Sequence, residues 1–146
     1  GDVDIRVGTV GTGGTVSGAG RFLKGQKPEI RIVVAEPTPE SVPSADNPDA
    51  PTIEGVHKVT EVEEDTLPET YHRGVVDEVI AVTTEEARRA ALAIARGEGF
   101  LVGTSSGAAV AVAIKLARRA ENRGKTIAVI FPDSGERYLS LFDAPN

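Results

Sequence analysis

The spacing of apolar residues along the chain switches several times between the two-residue period of a strand and the helical period. Ile5 to Val10 reads as a strand, rich in β-branched residues, with Arg6 an odd charge inside it. From about Gly14 the spacing turns helical, with Val16, Ala19, Phe22 and Leu23 on one face and a stop near Gly25. Ile30 to Ala35 is a second strand, so the chain opens with a β-α-β unit, right-handed by the sterics of twisted strands. Residues 37–77 lose periodicity and hold six of the nine prolines. Regular structure resumes with a strand at Glu78 to Val82. Thr83-Thr84-Glu85-Glu86 then forms a capping box, and Ala87, Ala91, Ile94 and Ala95 make the buried stripe behind it. Gly97 and Gly99 stop that helix, and Phe100 to Val102 reads as a short strand. A second glycine-serine turn, Gly103 to Gly107, leads into an alanine-rich helix ending near Asn122 and Gly124. Thr126 to Phe131 is the last strand, closed by Pro132.

This order predicts an α/β fold: an open, doubly wound, Rossmann-like and mostly parallel sheet in three αβα layers, with residues 1–146 as a single domain. Ligands on such sheets lie beyond the carboxyl ends of the strands, where both glycine turns fall. Gly11-Thr12-Gly13-Gly14-Thr15 joins a strand to a helix start, leaving backbone N–H groups unpaired with the helix dipole behind them. That is an anion site suited to phosphate, with Thr12 and Thr15 as added hydroxyl donors; the plainer reading is a flexible βα turn. Two familiar phosphate motifs fail. No lysine follows the glycines until Lys24, and Val16 stands where a dinucleotide fingerprint needs its third glycine. Glu36, at the end of the next strand, sits where a ribose-binding acid would, which keeps a weak nucleotide reading open.

Composition narrows the partners. The core must come from Val, Ala, Ile and Leu, since there are four Phe, two Tyr and no Trp; this suits a parallel sheet under alanine-rich helices. The absence of cysteine leaves no disulfide or thiolate chemistry and fits a reducing, cytoplasmic setting. A net charge of -6 argues against nucleic acid, and no apolar span is long enough for a membrane. The charge is uneven: residues 36–78 hold 12 acids and 2 bases, the remainder 10 acids and 14 bases. The expected partner is a phosphate-bearing small molecule. His57 and His72 are too isolated for a metal or a triad, and no catalytic residue or metal site is assigned.

Several runs together resemble the cysteine synthase family, pyridoxal 5'-phosphate enzymes that replace the acetoxy group of O-acetylserine with sulfide. They are Gly11 to Thr15 with Gly18 and Leu23-Lys24, the run Gly99 to Ala109, Glu121-Asn122, Gly124-Lys125, and Gly135 to Ser140. Cystathionine β-synthase and O-phosphoserine sulfhydrylase share the pattern. The resemblance implies that Gly11, Thr12, Gly13, Gly14 and Thr15 hold the cofactor phosphate and that Ser105 meets the pyridine nitrogen. Ser106, Asp133 and Ser134 are expected at the pocket edge. Read alone, Ser105 and Ser106 would be N-caps of the helix that follows. The family's lysine, which joins the cofactor and moves the α-proton, occurs in a Ser-Val-Lys-Asp-Arg-type context absent here; the five lysines are Lys24, Lys27, Lys58, Lys115 and Lys125.

A second departure falls in the irregular segment. Gly55, His57-Lys58 and Pro68 match a family stretch Gly-Pro-His-Lys-Ile-Gln-Gly-Ile-Gly-Ala-Gly-Phe-Ile-Pro, yet Glu61, Glu63, Glu64 and Asp65 replace its later glycines and alanine. Carboxylates beside an anionic cofactor would repel it, so this strip is expected to face water, and its alternation suggests an exposed strand. The resemblance implies the large domain of such an enzyme, truncated or resurfaced to stand alone as a monomer, where the intact family is usually homodimeric. The alternatives are a non-catalytic structural or engineered α/β module and a nucleotide-binding Rossmann-like domain.

Overall fold

Alternation along the strands assigns every core residue of the sheet to one of two faces. The computed structural model describes residues 2–136. Four strands, β1 (Ile5–Thr9), β2 (Arg31–Pro37), β3 (Glu78–Val82) and β4 (Ile127–Val129), pair in parallel in the order β3-β2-β1-β4. Ile5 and Val7 of β1, with Val33 and Ala35 of β2, face one side and meet Ala108, Val112 and Leu116. Ile32 and Val34 face the other, against Val10, Val16, Val59 and Tyr71. The first side is covered by α2 (Thr84–Glu98) and α3 (Thr104–Ala117). The second is covered by a helical segment that begins as a wide π turn, Thr15–Ala19, and continues as α1 (Gly20–Gln26). Helices on both faces of a parallel sheet make the expected three-layer α/β fold.

The capping box forms as its residues require. Glu86 N–H donates to Thr83 Oγ1 at 3.0 Å, and Thr83 N–H donates back to Glu86 Oε2 at 2.9 Å. The helix ends at Gly99, whose φ of 76° only glycine adopts cheaply. Three expectations are corrected. The alanine-rich helix ends at Ala117, and the residues up to Asn122 form a separate 3-10 turn. Phe100 to Val102 is a link between α2 and α3, not a sheet strand: both helices lie on one face, so the chain never crosses the sheet here. Val102 makes one antiparallel bridge, to Ser134. The last strand is shorter than Thr126 to Phe131, because Ile130 and Phe131 leave the sheet and are exposed.

The irregular segment wraps the α1 face and strand ends without adding a strand. Glu36 is buried and receives Val59 N–H at 2.8 Å, Thr60 N–H at 2.9 Å and the Thr60 hydroxyl. Thr84 Oγ1 donates to Pro51 O at 2.6 Å, and Ile32 N–H to Asp77 Oδ2 at 2.7 Å. Glu61, Glu63, Glu64 and Asp65 are exposed as expected, but they do not form a strand. Glu61 takes a φ of 55°, and Glu64–Thr66 is a single 3-10 turn. Their alternation reflects turns that point carboxylates at water. Among the described residues no helix is long and apolar enough to cross a membrane.

Candidate functional site

The sheet winds from β1 to β2 to β3 in one direction, and β4 then joins the other side of β1. The order therefore reverses between β1 and β4, the position where open α/β sheets hold ligands. A cleft of about 360 Å³ opens there. Gly8, Thr9, Gly11, Thr12, Gly13 and Thr15 line one wall, Ser105, Ile130, Pro132 and Asp133 the other, and Glu54 and Gly55 the rim. Both glycine turns thus reach one cavity.

The first turn is braced from outside. Gly13 has a φ of 86°, and a Cβ there would lie 2.6 Å from Tyr71 Cβ and 2.8 Å from Tyr71 Cα. The Thr70 hydroxyl donates to Thr12 O, and His72 N–H donates to Ser17 Oγ at 2.8 Å. His57 N–H donates to Val10 O at 2.8 Å. The irregular segment therefore clamps the loop at both ends, and its two histidines contribute backbone groups. Burial pushes the Tyr71 phenol above its ordinary pKa. Gly14, outside the lining, is exposed, and its N–H makes a long contact of 3.4 Å to Thr12 Oγ1.

In the second turn, Gly103 is the N-cap of α3, with no side-chain cap. Ser105 and Ser106 are inside the helix, so neither is the N-cap that a Ser-Ser-Gly run suggests. Ser105 is buried at the cleft wall, and its hydroxyl donates to Asp133 Oδ1 at 3.3 Å. Two of the three residues expected at the pocket edge lie elsewhere. Ser106 is fully buried with an unpartnered hydroxyl and is not among the residues that line the cavity. Ser134 is drawn off by its bridge to Val102 and donates to Glu136 Oε2 at 2.5 Å. Arg137 to Ser140 lie outside the described residues.

Sequence reasoning missed one residue of the lining with unusual chemistry. Arg6 is only 6% exposed, reaches the cleft, and has an Nη1 with no partner. Burial pulls its guanidinium below the ordinary arginine value, although an arginine stays charged. The alternation that sends Ile5 and Val7 into the core was the available signal. Glu36, by contrast, is spent inside the fold and is not among the lining residues. No lysine lines the cleft: Lys24 pairs with Asp77, Lys27 with Asp4, Lys58 with Glu61 and Lys115 with Glu86, and Lys125 donates to Asn122. No cluster of metal-ligating side chains occurs among the described residues.

Comparison with known proteins supplies the context. A model of the family described as pyridoxal-phosphate dependent enzyme matches residues 1–133. Cysteine synthase A of Escherichia coli (strain K12) is 41% identical over 142 residues, 96% of this chain and 44% of that protein. A cysteine synthase of Staphylococcus aureus is 38% identical over 138 residues, 94% of this chain and 42% of that protein. Among solved structures, O-acetyl serine sulfhydrylase isoform 3 from Entamoeba histolytica has a TM-score of 0.80 at 38% identity, covering 100% of this chain and 42% of that one. An O-ureido-L-serine synthase has a TM-score of 0.82 at 32% identity, covering 99% and 44%. The chain spans less than half the length of each of these relatives.

Proposed function

The chain belongs to the family of pyridoxal-phosphate-dependent enzymes, and from that premise we propose that it is the phosphate-binding part of a cysteine synthase-like β-replacement enzyme. The observation that carries this reading is the meeting of both glycine turns in one cleft at the reversal of strand order. The residues fit the group. Gly13, at positive φ, lets the backbone of Gly11 to Thr15 approach phosphate oxygens closely. The volume suits a small planar ligand.

In this reading Gly11, Thr12, Gly13, Gly14 and Thr15 hold the phosphate through backbone N–H groups and the two threonine hydroxyls. Ser105 turns its hydroxyl from Asp133 to the ring nitrogen. Bound pyridoxal phosphate supplies an electron sink for breaking bonds at an amino acid's α-carbon. A hydroxyl holds the ring nitrogen without keeping it protonated, which suits loss of a β-substituent over deeper carbanion chemistry. The substrate class is O-acetylserine with sulfide. The lysine that moves the α-proton is not among the five here, so the 146 residues alone do not turn over and act with a lysine-bearing segment. The nucleotide reading has no support in the cleft, since Glu36 is committed to Val59 and Thr60.

The test is a titration of the chain with inorganic phosphate and with pyridoxal phosphate, followed by amide resonances. The amides of Gly13, Gly14 and Thr15 should move first, with a dissociation constant roughly in the millimolar range, about 4 kcal/mol. Amides that stay still at tens of millimolar phosphate, with the fold intact, reduce the loop to a turn.

A further inference from the structure

Period-two alternation gives Arg6 an uncommon position. Ile5 and Val7 enter the core beneath α2 and α3, so Arg6 and Gly8 project from the opposite face of β1. Gly8 leaves the way along that face open. A Cβ there would stand 3.1 Å from Val16 Cγ2 and 3.9 Å from Arg6 Nη1, so the guanidinium passes directly over the glycine. It emerges in the wall of the cleft beside Thr9, Gly11 and Gly13.

There it is costly as it stands. A guanidinium taken from water needs a charge partner and filled hydrogen bonds. Arg6 forms no ion pair among the described residues, and Nη1 is buried without an acceptor. Among the described residues it is also the sole base lining a cleft that carries two acids, exposed Glu54 and Asp133, which accepts from Ser105. We propose that Arg6 is the cationic floor of the anion site, its guanidinium donating to an oxygen of the phosphate group held by Gly11 to Thr15. Phosphate recognition in this chain then uses a side-chain charge as well as backbone dipoles. A phosphate monoester neutralises the buried charge, and the guanidinium geometry suits its oxygens. The inference rests on the phosphate-site reading above and adds the residue that sets its strength.

The probe is inorganic phosphate, titrated into the wild-type chain, Arg6→Met and Arg6→Lys, with amide and arginine side-chain resonances recorded together. Expected is a loss of affinity on the order of tenfold to a hundredfold in Arg6→Met, with Arg6→Lys between. The Arg6 guanidinium signal of the wild type should shift with the same midpoint as the amides of Gly13 to Thr15. Equal midpoints in wild type and Arg6→Met overturn the role of Arg6 while leaving the phosphate site standing. Unmoved loop amides in the wild type overturn both. If Arg6→Met does not fold, the wild-type guanidinium signal decides: one that stays still while the loop amides titrate refutes the proposal.

Discussion

Replacing Gly13 by alanine drives a methyl group into the backbone of Tyr71. The new Cβ would lie 2.6 Å from Tyr71 Cβ, 2.8 Å from its Cα and 2.9 Å from its N. No rotamer change relieves this, because Tyr71 is held by its N–H to Pro68 O at 2.8 Å and its neighbours Thr70 and His72 bond to the loop itself. The left-handed backbone costs a non-glycine residue about 1–2 kcal/mol. Overpacking against a fixed neighbour adds about 1–3 kcal/mol. Gly13→Ala should therefore lose roughly 2–5 kcal/mol, a fall in Tm of roughly 5–15 °C for a chain of this size. Gly14→Ala is the control. Gly14 is helical at φ -62° and ψ -43°, and its Cβ would meet nothing nearer than Thr12 Oγ1 at 3.7 Å. There alanine should be neutral or gain about 0.4–1 kcal/mol by restricting the unfolded chain. Urea unfolding followed by circular dichroism measures both, with equal m-values required for the comparison. If the two variants unfold within roughly 0.5 kcal/mol of each other, the bracing of the loop by Tyr71 is wrong.

Two further outcomes follow from the buried and paired carboxylates. Glu36→Ala strips the acceptor from the N–H groups of Val59 and Thr60 and should cost roughly 2–4 kcal/mol; a loss under about 0.5 kcal/mol in urea would show that water replaces the carboxylate. Glu78 is held below its ordinary pKa first by hydrogen bonds from Arg119 and then by Arg31. Its contribution is complete above the ordinary glutamate value of about 4.3 and is lost as pH falls through the lower folded value. Glu78→Gln should thus cost about 1 kcal/mol at neutral pH, with the gap to wild type closing on acidification; a gap that widens in acid would refute the assignment.

What was legible in the chain was what neighbours in sequence decide. The capping box at Thr83, the glycine stop at Gly99 and the first three sheet strands depend on residues within a few positions, and each appears close to where the pattern puts it. Phe100 to Val102 has strand composition, but its role was set by α2 and α3 packing side by side on one face. Gly107 shows how closely: a Cβ there would come within 2.0 Å of Ala87 O. The acidic strip alternates like a strand because its turns send every carboxylate outward. Arg6 was visible as an oddity, yet that Gly8 clears its path to the cleft is a fact of tertiary geometry. Glu36 looked like a ribose ligand because the segment that occupies it, Val59 and Thr60, folds back from 23 and 24 residues away.

The bracing of the glycine turn also has a kinetic side. The sheet and its helices are joined by short connections, apart from the excursion before β3, but the turn is fixed by partners far along the chain: Thr12 and Thr70 are 58 residues apart, Ser17 and His72 are 55. Closing such a span must be entropically compensated before its contacts reward it, and each doubling of the span costs about 0.6 kcal/mol. The elements therefore gather first, and the anion cradle sets late, once residues 68–72 have docked. The same ordering runs backward in native fluctuations: lifting that short stretch loosens the cradle while the sheet stays paired, so amide exchange at His72 and Ser17 reports on the buttress and not on global unfolding.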